Sequence, residues 1–196
     1  MSRLHALTDG VFAIAMTLLV LELHVPDAAS TDEFVRGVAA VVPSLFSFTL
    51  SFAVLGAYWL GTVWSLGSVR HVDRPLLLLN LLTLLFITLV PFTTAVLARY
   101  PDEAGAVILY GTHLTLLGLT QYANWVYLRT NPRLLESPIG RREAAATTRR
   151  ILFGPVGFVV AMVVAMVSPR GAYAIFYVVL FVYIFNAARD RSTIGR

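Results

Sequence analysis

The sequence predicts an all-α integral membrane protein with six transmembrane helices, and three observations carry that prediction. Hydrophobic residues fill 58% of the 196 positions and charged residues only 13%, about half the charged share with which a soluble domain faces water. Mean hydropathy is +0.76. Long uncharged runs recur along the chain, and a spanning helix needs only about 20 apolar residues. This composition excludes a soluble enzyme and a disordered linker. The absence of cysteine also excludes disulfides, thiolate metal sites and cysteine nucleophiles.

Each span can be justified in order. Helix one, residues 3–24, is apolar from Leu4 to Leu23 except for His5, Asp9 and Glu22. An aspartate near its start and no small-residue cleavage site after Leu23 separate it from a signal peptide. The connection 24–40 holds a Pro-Asp turn and then Ser30-Thr31-Asp32-Glu33, the start signal of a short helix leading into helix two. Helix two, 41–68, carries Ser44, Ser47 and Ser51 on one face, a small-residue strip suited to close helix approach. Its aromatic end, Tyr58, Trp59 and Trp64, suits the membrane interface. Helix three, 75–98, contains Asn80 and a kinking Pro91, with Thr93 and Thr94 placed to serve the freed carbonyl. Helix four, 104–128, places His113, Thr120, Gln121 and Asn124 on one broad face. Helices five and six, 150–168 and 171–188, carry little that is polar and read as lipid-facing scaffold. The whole chain, 1–196, reads as a single domain.

The arginines orient the bundle. All fifteen basic residues are arginine, and formal net charge is +4. Arg3, Arg70, Arg74, the loop arginines Arg129, Arg133, Arg141, Arg142, Arg149 and Arg150, and the tail Arg189, Arg191 and Arg196 alternate consistently onto one side. Only Arg36, Arg99 and Arg170 fall opposite. The positive-inside rule then makes both termini cytoplasmic. The 129–150 connection sets topology, and its polybasic character also suits anionic lipid headgroups. It lacks the aromatic interleaving of a nucleic-acid surface, so no nucleic-acid partner is expected.

Helix one holds the candidate site. At about 100° per residue, Leu7, Gly10, Ile14, Thr17 and Leu21 form one stripe with Leu18 at its edge, and Asp9 points well away. The stripe suits self-association around an axis, a narrow pore wall or ordinary helix packing. Asp9 is placed to accept hydrogen bonds from neighbouring helices. No enzymatic constellation appears: Gly-x-Ser-x-Gly, His-Glu-x-x-His and Walker patterns are absent. Asp9 and Glu22 stand about 20 Å apart along a helix, too far to share acid–base chemistry.

The opening Arg3 to Leu23, with Thr8-Asp9-Gly10-Val11-Phe12-Ala13-Ile14 followed by Thr17-Leu18-Leu19-Val20-Leu21-Glu22, closely resembles the first-helix signature of the bacterial branch of the lysosomal/endosomal potassium channel family. The resemblance continues through Ser51-Phe52, Tyr58-Trp59, Asn80 and Pro91-Phe92. It implies a homotetramer in a bacterial plasma membrane, with helix one lining the pore, potassium as permeant ion and no cofactor. It also implies a hydrophobic constriction at Ile14, Leu18 and Leu21, a hydroxyl layer at Thr17, and a polar network joining helices through Arg3, Thr8 and Asp9. Selectivity for potassium over sodium would be modest, because no Thr-Val-Gly-Tyr-Gly filter loop is present. Two departures stand out: Leu7-Thr8-Asp9 replaces Phe-Ser-Asp, and Thr62-Val63 follows where the family often has histidine. Two other classes remain open at this level: a proton-coupled transporter using the polar face of helix four, and a non-conducting membrane scaffold.

Overall fold

The computed structural model describes residues 2–23 and 27–194, with side chains from 3 to 183 outside the gap. Pro26 of the expected turn and the side chains of Arg189, Asp190, Arg191 and Arg196 lie outside the described residues. The architecture is all-helical: α1 (Ser2–Leu18) with a 3-10 extension (Leu19–Glu22), α2 (Thr31–Gly67), α3 (Arg74–Arg99), α4 (Ala104–Thr130), α5 (Arg141–Ala165) and α6 (Pro169–Ile194). By length and composition, α1 with its extension, α2, α3 and α5 can each cross a membrane. The described apolar part of α6 is shorter, Pro169–Tyr183. At 27 residues α4 is long, but its apolar run is interrupted by His113, Gln121 and Asn124.

Two helices begin earlier than the uncharged runs suggest. The start signal at Ser30 is real: its hydroxyl accepts from Glu33 N, and the Glu33 carboxylate accepts from Ala29 N at 2.8 Å, a reciprocal cap. The helix it opens does not stop before helix two but runs on through Pro43 for 37 residues. That is about 55 Å at 1.5 Å per residue, well beyond a bilayer core of about 30 Å. Residues 141–150 of the expected connection are likewise the first turns of α5.

Asp73 caps α3 by accepting from Leu76 N, just before Pro75 at the helix start. Its carboxylate also accepts from the Tyr127 hydroxyl at 2.7 Å and lies 3.9 Å from the Arg133 guanidinium. These contacts, the Tyr127 bond first, hold its pKa below the ordinary aspartate value. Around it Val69, Leu76, Leu128, Leu134 and Leu135 form a small apolar cluster. An antiparallel bridge, Val69 to Leu135, ties the two connections on this side together. On the other side Arg170 donates two bonds to Asp102, at 2.7 and 3.1 Å.

The main core lies where α2, α3, α4 and α6 meet, around Leu50, Leu55, Ile87, Tyr110, Leu114 and Phe176. Helix α4 is its hub, packing on α3 and α5, while α1 packs on α3 and α2. Close approach on α4 depends on glycine. A Cβ at Gly118 would collide with the Pro155 ring of α5, and one at Gly111 would come within 2.6 Å of Met162 Cγ. Gly157 of α5 stands equally close to Val179 of α6. Thus α5 and α6 bury Phe158, Ala161, Ala165, Ala172 and Phe176 in the core as well as facing outward along Val156, Val160 and Val163.

Candidate functional site

Helix α1 has two opposed faces. Leu4, Thr8, Phe12, Ala15 and Leu19 recur every three or four residues and are buried against α2 and α3. Turned by roughly 200° from Phe12, Ile14 is 61% exposed, and Leu21 on the same stripe is 67% exposed, where Phe12 and Leu19 are at 1% and 0%. Leu7, Thr17 and Leu18 share the exposed side. The stripe read from periodicity is therefore the face that the chain's own helices leave uncovered. Apolar side chains cannot be satisfied by water, so this face is built for lipid or for another protein surface.

The one hydroxyl on the stripe is oriented by its own helix. Thr17 Oγ1 donates to the Ile14 carbonyl at 2.9 Å, the back-bonding common to threonine in membrane helices. With its proton committed there, the oxygen presents only lone pairs outward, so it can act as a ligand for a cation.

The buried and flanking polar groups join α1 to its neighbours. Thr8 is buried and accepts from Asn80 Nδ2 of α3 at 3.2 Å. Asp9 stays exposed, but its Oδ1 accepts from the Trp59 indole N–H of α2 at 2.9 Å. Arg3 is exposed, and among the described residues no contact ties it to Thr8 or Asp9. The geometry therefore ties Thr8 to α3 and Asp9 to α2. Trp59 was legible only as an interface anchor, because no sequence pattern marks a bond spanning fifty positions. Thr8→Val, which keeps the shape and removes the acceptor, is expected to lower stability by about 1 kcal/mol. The loss would be read as a drop in thermal midpoint in detergent that Thr8→Ser does not show.

The polar face of α4 does not form one path. His113 meets Thr93 Oγ1 at 2.8 Å through Nδ1 and the Phe86 carbonyl at 2.9 Å through Nε2. About 10 Å along the helix, Thr120 accepts from Thr83, and Asn124 Nδ2 donates to Thr83 Oγ1 and to the Thr120 carbonyl. Gln121 turns to α2, donating to Thr62 Oγ1 at 2.9 Å. These are separate interhelical ties. Near Pro91 the hydroxyls of Thr93 and Thr94 donate to the Val90 carbonyl. That is not the Ile87 carbonyl, whose i+4 partner proline removes.

Among the described residues no group of histidine, aspartate and glutamate is arranged to hold a metal ion. The family model described as "Endosomal/lysosomal potassium channel TMEM175" matches residues 3–91. A potassium channel of Streptomyces collinus is 34% identical over 185 residues, covering 89% of this chain and 90% of that protein. A Bos taurus relative named as an endosomal/lysosomal proton channel is 30% identical over 190 residues, covering 89% of this chain but 40% of its own length. The crystal structure of a lysosomal potassium-selective channel TMEM175 homologue from Chamaesiphon minutus superposes with a TM-score of 0.84. It is 29% identical, and the match covers 94% of this chain and 96% of that one.

Proposed function

Because this chain belongs to the TMEM175 family of endosomal/lysosomal potassium channels, we propose that it is a potassium-permeable channel whose pore is lined by α1 at the axis of a homotetramer. The observation that carries the reading is the opposition of faces on α1: one face is fixed to α2 and α3, and the other is apolar and uncovered. Four copies of that face around an axis would stack rings of Ile14, Leu18 and Leu21. Rings that narrow exclude water, and an ion does not cross a dewetted constriction cheaply.

Thr17 lies within this stack, and its lone pairs face the axis. It supplies one polar ring in an otherwise apolar path, so selectivity rests on pore width and a hydroxyl layer. The preference for potassium over sodium is accordingly modest. Thr17→Ala is expected to reduce that preference several-fold in liposomes loaded with each cation in turn. Thr17→Ser should retain it, and unchanged selectivity in Thr17→Ala would remove the hydroxyl from the ion path.

The arginine distribution supports cytoplasmic termini, and the bacterial relatives support a location in the bacterial plasma membrane. The exposed Arg141, Arg142 and Arg149 at the start of α5 face anionic headgroups there. Potassium is the permeant species, and the reading needs no resident cofactor. Proton conduction is the second reading, favoured by the name of the Bos taurus relative. Against it, the stripe from Leu7 to Leu21 carries no ionisable side chain, and the polar groups of α4 are tied up separately. Flux through the purified protein in liposomes under potassium, sodium and proton gradients separates the two. Flux of protons alone would replace the first reading, and no flux of any kind would leave a scaffold.

A further inference from the structure

Arg3 stands on the uncovered face of α1. It lies seven positions before Gly10, eleven before Ile14 and fourteen before Thr17, which at about 100° per residue puts it within roughly 40° of each. Like Ile14 and Thr17 it is exposed, whereas Leu4, one position on, is buried. The apolar stripe therefore ends, at the head of the helix, in a permanent cation. Helical side chains lean toward the N-terminus, so the guanidinium is carried past Leu7 toward the aqueous end and away from the apolar rings.

Nothing local to the helix calls for a cation at this point. The first turn of a helix carries the positive end of its dipole, which favours acidic side chains and disfavours basic ones. Helix α1 has no acidic residue in its first turn, and Arg3 adds a like charge to it. Asp9 is six positions on, about 120° round the helix, and its Oδ1 is engaged by the Trp59 indole of α2. Membrane orientation does not fix the direction either. The positive-inside rule counts the arginines on a side, whichever way they face, and Arg70, Arg74 and Arg129 contribute to that count from other helices and connections.

We propose that Arg3 forms a ring of positive charge at its end of the pore and makes conduction direction-dependent. The inference rests on the reading of α1 as the pore-lining helix of a tetramer, and it assigns that pore an asymmetry. Four guanidinium groups and the positive ends of four helix dipoles converge on one mouth. Their field depletes potassium where ions enter from this side. Ions coming from the other side reach the ring only after they have crossed the apolar constriction, so their passage is limited elsewhere. The mouth is wet, and salt on that side screens the ring.

Inside-out patches from giant spheroplasts, carrying the protein or its Leu18→Ala variant, expose the cytoplasmic face to the bath. In a bath of about 0.01 M salt, where the screening length is about 30 Å, Arg3→Gln should raise the potassium current entering from the bath several-fold and leave the opposite current within about a factor of two. In a bath of about 1 M salt, where that length is about 3 Å, variant and parent should coincide. Arg3→Glu should reverse the asymmetry, which a merely structural role would not do, and Arg3→Lys should preserve it. Arg74→Gln removes an exposed arginine at the start of α3 and should leave the current ratio unchanged. Arg3→Gln and Arg3→Glu should melt with the parent or slightly above it, since each takes a cation from the positive end of a helix. The parent alone supplies a second measurement that needs no variant to fold: its asymmetry should fade as bath salt rises. A current ratio unchanged in Arg3→Gln, an equal change in Arg74→Gln, an effect confined to the opposite current, or an asymmetry insensitive to bath salt would each overturn the proposal. Absence of current in both the parent and Leu18→Ala would remove the channel reading and this inference with it. A conducting parent whose current ratio ignores Arg3 overturns this inference alone.

Discussion

Replacing Leu18 or Leu21 with alanine is expected to raise potassium flux through the unstimulated protein at least about tenfold, equivalent to roughly 1.4 kcal/mol off the permeation barrier. Ile14, Leu18 and Leu21 stand exposed and apolar, while the opposite side of α1 is locked by Phe12, Ala15 and Leu19. The helix therefore has no freedom to turn these side chains inward within its own chain. In the proposed tetramer each leucine is repeated four times around the axis, so one substitution widens the ring on every side. A wider ring admits water, and a hydrated path lowers the barrier to a cation. Potassium flux into liposomes from matched amounts of variant and parent protein measures it. Equal leak in both variants would mean that the exposed face of α1 faces lipid and not the ion path. Leu19→Ala is the control: it opens space in the buried face and should reduce stability without raising leak.

The second large effect is structural. Gly118→Leu should lower stability by about 3 kcal/mol, a fall of roughly 10 °C in thermal midpoint for a chain of this size. The side chain has nowhere to go, because the atom facing Gly118 belongs to the Pro155 ring, which cannot rotate away, and the Tyr58 hydroxyl stands 3.0 Å off on another side. Helix α4 would be wedged from α5, and with it the hub on which α3 and α5 pack. Gly56→Ala provides the contrast, since nothing lies within 4 Å of a Cβ there, and it should leave the midpoint unchanged or slightly raised. Thermal unfolding and elution profile in detergent read both. A Gly118→Leu protein that melts with the parent would show that the α4–α5 contact is looser than the structure has it.

Much of this molecule was legible before any coordinates. Composition alone required a membrane protein, and hydropathy located the six helices because lipid imposes one rule on every span. The α1 stripe was visible because a helix repeats every 3.6 residues, so spacing translates directly into direction. The boundaries of α2 and α5 were less legible. Uncharged runs mark where a helix can enter hydrocarbon, whereas hydrogen bonding lets it continue through Thr31–Ala40 and Arg141–Arg150 in a polar setting. The four polar residues of α4 show the same limit from another direction. They share a broad face by periodicity, yet Gln121 bonds α2 while His113, Thr120 and Asn124 bond α3.

By itself the sequence determined the class, the helical spans, the arginine asymmetry and the faces of α1, all of them consequences of local spacing and composition. Only the tertiary structure decided which of those faces is covered, that Asp9 receives the Trp59 indole and Thr8 the Asn80 amide, and that α2 and α5 leave a slot between them. The reason is physical: a residue's direction on its helix follows from a fixed rotation per residue. Its partner depends instead on how distant helices pack, and here that packing turns on single glycines meeting a proline ring or a valine across the interface.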